Sequence, residues 1–600
     1  MMTVDCQSNQ AAESLVASQH SCLDITVVIP THNGGERVPQ VLDRLKQQVD
    51  VDALTWEVIV CDNNSCDRTA DVVSEYQQNW LPQCPLRYCF VAEQGAAYAR
   101  QRGVMEASGT IVAFLDDDNI PAHDWLSQVQ QFAIAYPQAG AFGSQIHGDF
   151  QGVLPDGFEH IACFLAIVER GNSPHLYRPA SKILPPAAGL AVRKDAWIAS
   201  VPERLFLNHK GKSAGLASED LEAMLHIQKA GWEIWYNSDM VVTHQIPGER
   251  LQREYLVTLL RCVGLSRFYI RWLGTKDWQR LFKVPAYIAN DLRKLALHYL
   301  KNGPRQSNWD IVVACERSLL TSTLASPVFL LRKLSQDRLQ NQQDQSQLPE
   351  RQQWLRRLTD AFEDRQLELY QQKIVWLNAT ESFDKKLATA QFEVLLRLRQ
   401  NSAEQRPVSP RAFFPTAKRY GLMRTLDRRV VQQVCRMLRS PTVGYFINLS
   451  DDSVVDLSFL TFLEEQLIRY QVKPEGLCFE ISETAVIRHA AETKTLIEHL
   501  HHLGIKVSID ELNNLNGDFF RDGTQLSVDY IKLGKGLLER LITVQNSALL
   551  ERIKLIQQEG VQLVAKGVET QTALERVQAL GLEYAQGYHL SQPSPFNPVD

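Results

Sequence analysis

The chain has no apolar opening. Its first twenty residues, MMTVDCQSNQAAESLVASQH, hold neither a hydrophobic core nor a cationic start, so no signal peptide is expected. Nor does any uncharged apolar run reach the roughly 20 residues that a spanning helix needs. The best candidate, residues 256–270, is broken by Arg261 and Arg267. Basic excess is missing as well: 63 Lys and Arg stand against 69 Asp and Glu, a formal charge of −6, which argues against a nucleic-acid polymer as partner. The eleven cysteines show no pairing pattern, and Cys61/Cys66 and Cys84/Cys89 are spaced more widely than zinc-ligand pairs usually are. Reduced, buried thiols in a cytoplasmic protein are the expectation. No internal repeat is evident.

What is there is ordinary globular composition, 44% hydrophobic and 22% charged, over 600 residues. That length exceeds what one core usually serves, so two or more domains are expected. Residues 336–353, QDRLQNQQDQSQLPERQQ, are glutamine-rich and free of aromatics, and read as a linker. Before them, strand-like ITVVIP, WEVIVCD and IVAFLDDD alternate with helical stretches, the pattern of βαβ units on a parallel sheet. After them the alternation returns in YFINLS, LCFEIS, IKVSID, YIKLG and VQLVAKGVE. The reading is a disordered start (1–23), an α/β domain (24–250), a basic helical extension (251–335), the linker, and a second α/β domain (354–600).

In the first domain, polar residues gather where strands end, the place where open α/β sheets bind ligands. ITVVIP runs into Thr31-His32-Asn33-Gly34-Gly35, WEVIVC into Asp62-Asn63-Asn64, and IVAFL into Asp116-Asp117-Asp118-Asn119. Three successive carboxylates repel one another unless a cation sits among them, and Mg²⁺ or Mn²⁺ on a diphosphate suits such an oxygen-rich loop. A solvated acidic loop, or one capping the next helix, is the plain alternative.

The set Pro30-Thr31-His32-Asn33, Asp62, Ala99-Arg100-Gln101, Phe114 to Pro121, Gly189 to Lys194 and Ser218-Glu219-Asp220-Leu221-Glu222 resembles the family 2 glycosyltransferases. The resemblance implies the GT-A fold, a parallel-sheet domain that binds a nucleotide-sugar donor, and transfer with inversion. It implies that Pro30, Thr31, Asn33, Asp62, Asp117, Gly189 and Glu219 contact substrate, with Arg100 near the phosphates. Asp116 and Asp118 would form the D-x-D element carrying Mg²⁺ or Mn²⁺, and His244, at a strand end in VVTHQIP, would be a third ligand. The chemistry can be argued separately. Glycosyl transfer passes through an oxocarbenium-like state, and the acceptor hydroxyl needs a carboxylate to take its proton. Asp220, at the start of a helical stretch, is the candidate base, and its helix N-terminal place is expected to keep it ionised. The Gln-x-x-Arg-Trp cluster of processive synthases is missing, which favours addition of one sugar at a time to a glycan or lipid-linked acceptor.

Residues 250–305 hold twelve Lys or Arg against three acidic residues, interleaved with Leu, Tyr, Trp and Phe. They fit either amphipathic helices on an anionic membrane surface, a peripheral location at the inner face of the cell membrane, or helices packed on the first domain with solvated basic faces.

The second half carries Gln372, Phe392-Glu393-Val394-Leu395-Leu396-Arg397, Asn448, Phe479-Glu480-Ile481, Asp510-Glu511, Lys532, Lys566-Gly567-Val568-Glu569 and Gln586. This constellation resembles the EAL domain, a TIM-type barrel that hydrolyses cyclic di-GMP with two metal ions. By resemblance, Gln372, Glu393, Arg397, Asn448, Glu480, Asp510, Lys532, Glu569 and Gln586 would form a cyclic di-GMP site. The departures weigh against hydrolysis. Glu511 replaces an Asp, Lys566 a Glu, Lys418 a Glu and Gly534 an Asp, while the glycine-bearing loop has become Glu511-Leu512-Asn513-Asn514-Leu515. A cation in place of an anion is a severe defect in a divalent site. The reading is therefore a glycosyltransferase with a degenerate EAL domain as regulator or scaffold. A bifunctional protein with residual phosphodiesterase activity and a non-catalytic cyclic di-GMP-responsive signalling protein stand as alternatives.

Overall fold

The computed structural model describes residues 23–178, 184–208, 217–303, 310–344, 348–363, 366–377, 390–399, 407–438, 443–513, 527–543 and 547–597. The disordered start expected for residues 1–23 falls, but for Leu23, outside them. The chain divides into two compact units at Leu348/Pro349, inside the glutamine-rich stretch. That stretch is helical on either side of residues 345–347.

Unit 1 opens with β1 (Leu23–Thr31), α1 (Val38–Lys46), β2 (Trp56–Asp62), α2 (Thr69–Gln78), β3 (Leu86–Phe90), α3 (Ala96–Glu106) and β4 (Gly109–Phe114). There follow β5 (Asn119–Pro121), α4 (Trp125–Ala135), β6 (Ala139–Gln151), β7 (His175–Leu176), β8 (Ala191–Arg193), α5 (Lys194–Ser200), α6 (Glu219–Lys229) and β9 (Glu233–Pro247). The sheet order is β3-β2-β1-β4-β8-β6-β9-β5, with β1 to β4 parallel and β8 and β5 antiparallel to their neighbours. Because β1 is covered on both faces, it reads as a continuous apolar run rather than an alternating one. Ile25, Val27 and Ile29 pack with Val38, Val41 and Leu42 of α1 and Trp125 and Val129 of α4. Val28 points the other way, among Ala99 and Val104 of α3 and Met224 of α6. Cys61, Cys84 and Cys89 are buried free thiols.

Three long helices complete the unit: α7 (Arg253–Leu273), α8 (Asp277–Asn302) and α9 (Ile311–Asp344). Leu256 and Leu260 of α7 join Val312 and Cys315 of α9 in a separate core with Leu165 and Ile246. For α7 the packed arrangement therefore holds. Among the described residues no helix is long and apolar enough to cross a membrane.

Unit 2 begins in α10 (Leu348–Glu363) and continues through β10 (Leu367–Trp376), β11 (Gln391–Leu398), β12 (Gly444–Leu449), β13 (Leu477–Ser482), β14 (Lys506–Leu512), β15 (Tyr530–Leu533), β16 (Gln562–Lys566), β17 (Tyr584–Gln586) and β18 (Ser594–Pro595). From β11 to β17 the strands are parallel and paired in sequence, and β10 closes the ring antiparallel to both β11 and β17. The result is a TIM-like barrel with a reversed first strand. Its polar residues collect at the C-terminal strand ends.

Gly189, expected at the substrate, also meets a packing demand. It is buried at φ +65°, and a Cβ there would meet Ser144 Oγ at 2.6 Å and a Val242 methyl at 2.8 Å. Ser144 in turn donates to the Gly189 carbonyl at 2.6 Å and accepts from the Trp125 indole at 3.1 Å. Gly189→Ala should therefore lower stability by about 1–3 kcal/mol through strain and overpacking, read as a fall in the thermal unfolding midpoint.

Candidate functional site

In unit 1 the strand-end loops are sewn to one another. Asn33 sits at φ 51° and its backbone N–H donates to Ser65 Oγ at 2.9 Å, while its side-chain carbonyl accepts from the Cys66 N–H at 2.8 Å. Asp62 pairs in register with Thr31, and its carboxylate accepts from Tyr88 OH at 2.7 Å and from the Ser65 N–H at 2.9 Å. Burial pushes the Asp62 carboxyl up, against those hydrogen bonds. Pro30 lies buried in β1.

Each of the three successive aspartates meets a different arginine. Asp117 takes Arg37 in a two-pronged pair at 3.0 and 2.9 Å and also accepts from Thr31 Oγ1 at 2.6 Å. Both of its oxygens brace the loop, and Asp117 and Thr31 engage each other. The approach is so close that a Cβ on Gly34 would lie 2.0 Å from Thr31 Oγ1. Asp116 pairs with Arg100 at 2.8 Å. Asp118 pairs with Arg250 at 2.8 Å and lies 3.5 Å from His244 Nε2. Burial alone would raise the Asp118 carboxyl, but His244 and Arg250 hold it down at about 2. Of the expected metal ligands, then, the structure brings Asp118 and His244 together and turns Asp116 toward Arg100. Among the described residues no group of three His, Cys, Asp or Glu side chains converges on one point.

The His244 ring is fixed from behind. Its Nδ1 lies 2.9 Å from the Leu165 carbonyl, which can only accept, so Nδ1 carries the proton and Nε2 faces the Asp118 carboxylate. The Arg250 amino group stands against both, 2.8 Å from Asp118 Oδ2 and 3.5 Å from His244 Nε2, so a divalent ion held by Asp118 and His244 would take the place of Arg250.

Arg100, on α3 and nearly buried, joins this loop to the candidate base. Its second amino group donates to Glu219 Oε1 at 3.1 Å, at the start of α6, next to Asp220. Asp220 accepts from the Leu221 N–H at 2.8 Å and the Ala187 N–H at 3.2 Å. The helix terminus does not keep it low. Burial, and then the charge of Glu219, lift its carboxyl to about 6 against the pull of Arg100.

Two arginines are not legible as site residues in the sequence. Arg37 and Arg250 compensate Asp117 and Asp118, and Arg250 falls within the basic stretch. Glu222 is buried and accepts from the Phe206 N–H at 3.0 Å, the Leu207 N–H at 2.7 Å and Tyr269 OH at 2.8 Å, fixing α6. Only the spacing of Arg250 six residues after a strand-end histidine offered a signal.

In unit 2, Glu393, Asn448, Glu480, Asp510, Lys532, Lys566, Gln586 and Gln372 come together on neighbouring strands. Lys532, 0% exposed, ion-pairs with Glu393 at 2.8 Å and with Glu480. Glu393 also accepts from Asn448 at 2.9 Å and from Gln586 at 2.7 Å. Burial would raise Glu393, yet Lys532 and Lys566 bring it down to about 2, whereas for Glu480 burial prevails and pushes it up to about 8. Lys566 donates to both Asp510 oxygens, at 2.8 and 2.7 Å. Above this layer lies a cavity of about 1050 Å³ bordered by Gln372, Arg397, Lys418, Asn448, Glu569 and Gln586. Gly534 is flanked by Asn513 rather than by open space, and Asn514 and Leu515 of the altered loop lie outside the described residues.

Comparison with known proteins finds a family match in each unit. Residues 26–165 match glycosyl transferase family 2, and residues 355–593 match the EAL domain. The chain thus carries a family 2 glycosyl transferase domain followed by an EAL domain. It is 27% identical over 251 residues to the cyclic di-GMP phosphodiesterase PdeB of Shewanella oneidensis, covering 40% of this chain and 28% of that protein. With the bifunctional diguanylate cyclase/cyclic di-GMP phosphodiesterase MucR of Pseudomonas aeruginosa, identity is 26% over 264 residues, 42% of this chain and 36% of that one. The match therefore spans about a third of these relatives. The crystal structure of the FimX EAL domain from Pseudomonas aeruginosa bound to c-di-GMP shares 26% identity, 40% of this chain and 96% of that chain, at a TM-score of 0.36.

Lys532 is the cation in direct contact with Glu393 and Glu480. Lys532→Met should leave Glu393 buried without its nearest counter-charge and cost roughly 3–5 kcal/mol, measured by chemical denaturation of the full chain.

Proposed function

We propose that residues 24–250 transfer a single sugar, with inversion and with a divalent metal, from a nucleotide-diphosphate sugar to a glycan or lipid-linked acceptor. The observation that carries this reading is the chain Asp116–Arg100–Glu219 leading to Asp220, which couples the diphosphate-facing loop to a carboxylate poised near pH 6. Asp118 and His244 would hold Mg²⁺ or Mn²⁺, which supplies charge neutralisation for the departing diphosphate. Arg100 and Arg250, each already on a loop aspartate, offer further positive charge to the phosphates. Asn33 and Asp62 lie where the nucleoside would be gripped. Asp220 takes the acceptor's hydroxyl proton as the acceptor oxygen bonds to the sugar carbon and the bond to diphosphate breaks on the opposite face.

Asp220→Asn keeps size and polarity but cannot accept the proton, so release of nucleoside diphosphate should fall by about 10²-fold or more with donor affinity little changed. In the wild type the rate should rise as pH climbs through about 6, where Asp220 loses its proton, and level off above. A flat profile across that range would move the base elsewhere.

For the EAL unit we propose a regulatory or scaffolding role without hydrolysis. The residues do not fit a pair of divalent metals. Lys532 pairs with Glu393 and Glu480, and Lys566 occupies both Asp510 oxygens, so two fixed cations stand among the carboxylates that a pair of dications would need. The 1050 Å³ cavity supports a second reading, in which cyclic di-GMP binds as an effector against Arg397, Glu569 and Gln586. The full chain should leave cyclic di-GMP intact with Mg²⁺ or Mn²⁺ present. Lys566→Glu should create a Mn²⁺ site in unit 2, detectable by calorimetry in a variant whose Asp118 is also replaced by Ala. Hydrolysis by the wild type would contradict the assignment.

A further inference from the structure

Helix α8 is amphipathic in the wrong sense for a helix that merely packs on its own domain. Its two fully buried side chains are polar. Asp291 accepts a two-pronged pair from Arg271 of α7, with one arm at 3.0 Å, and His298 lies 3.6 Å from Glu316 of α9. Arg317 of α9 donates to Tyr299 OH at 3.1 Å. These contacts pin the polar face inward.

The apolar residues point out. Trp278 is 68% exposed, Leu281 78%, Phe282 74%, Leu292 54% and Leu300 82%, with Ile288 at 39%. At 100° per residue they form one stripe, continued by Pro285, Ala289 and Ala296, about 33 Å long. Five exposed cations lie on one flank of the helix, Arg293 at the edge of the stripe and Lys276, Lys283, Lys294 and Lys301 about 100–120° further round. The exposed acid on the helix, Asp277, is already paired with Arg280 at 2.6 Å. A second copy of the chain is a poor occupant, because a self-complementary contact would bring two net-positive helices together. An apolar stripe on a helix whose exposed charge is net positive matches a bilayer that presents anionic headgroups over hydrocarbon.

We propose that α8 lies in the interface of an anionic membrane, with Trp278, Leu281, Phe282, Leu292 and Leu300 entering the headgroup boundary. The inference is independent of the sugar-transfer reading. The test is co-sedimentation of the full chain with vesicles rich in phosphatidylglycerol and with vesicles of phosphatidylcholine alone. Binding should be strong on the anionic vesicles at low salt, at least about tenfold weaker on the neutral ones, and reversed by high salt. Leu281→Ser with Phe282→Ser, and separately Lys283→Glu with Lys294→Glu, should each reduce the bound fraction by about tenfold. Both pairs are exposed, so circular dichroism should match the wild type. Absence of binding to anionic vesicles at low salt, or equal binding to neutral ones, would overturn the proposal. So would self-association in solution that the Leu281/Phe282 variant abolishes while vesicle binding is missing.

Discussion

Carboxylates crowded at strand ends must be compensated, and in unit 1 that need organises the whole site. Asp116, Asp117 and Asp118 are adjacent in the chain, and left alone they would repel one another and splay. Instead Arg100, Arg37 and Arg250 arrive from three different segments and take one each. The pairings do more than cancel charge. Arg37 draws the first strand-end loop onto Asp117, Arg100 carries the network from the aspartate loop to α6, and Arg250 brings the segment after β9 to Asp118 beside His244. Remove the arginines and the loops that frame the site lose their common anchor.

Unit 2 meets the same constraint with lysines. Lys532 lies wholly buried between Glu393 and Glu480, and its ammonium can be tolerated there only because two carboxylates and the surrounding hydrogen bonds surround it. Lys566 then adds a second fixed cation at Asp510. The units differ in how far the compensating cation is enclosed: Arg250 reaches Asp118 from a partly exposed side chain, whereas Lys532 is wholly buried.

The order of motifs in the sequence was enough to locate the two folds and most of the residues that meet at each site. Strand ends are legible because apolar runs stop abruptly at Thr31, Asp62 and Asp116, and because parallel strands buried on both faces have no alternation to confuse them. Partnership was not legible. Nothing near Asp117 in sequence announces Arg37, which is eighty residues away, and Arg250 looked like part of a basic surface. The lifted carboxyl of Asp220 was not legible for a related reason: the helix terminus is a local feature, whereas burial and the neighbouring charge of Glu219 emerge only on folding. Gly189 resembled a substrate contact because the motif contains it, yet its left-handed backbone and its closeness to Ser144 are packing requirements. Composition identified the basic extension as unusual but not its orientation, since only the folded arrangement reveals that α8 turns Asp291 and His298 inward.

The central claim is that the aspartate loop and Asp220 form one sugar-transferring site served by a divalent cation. Its most direct test is the release of nucleoside diphosphate from a panel of sugar nucleotides by the full chain, with Mn²⁺ and with chelator. The account predicts release from at least one donor that is lost on chelation and restored by added Mn²⁺. Release that persists undiminished in chelator, or none from any donor in the presence of metal and acceptor glycans or lipids, would contradict it.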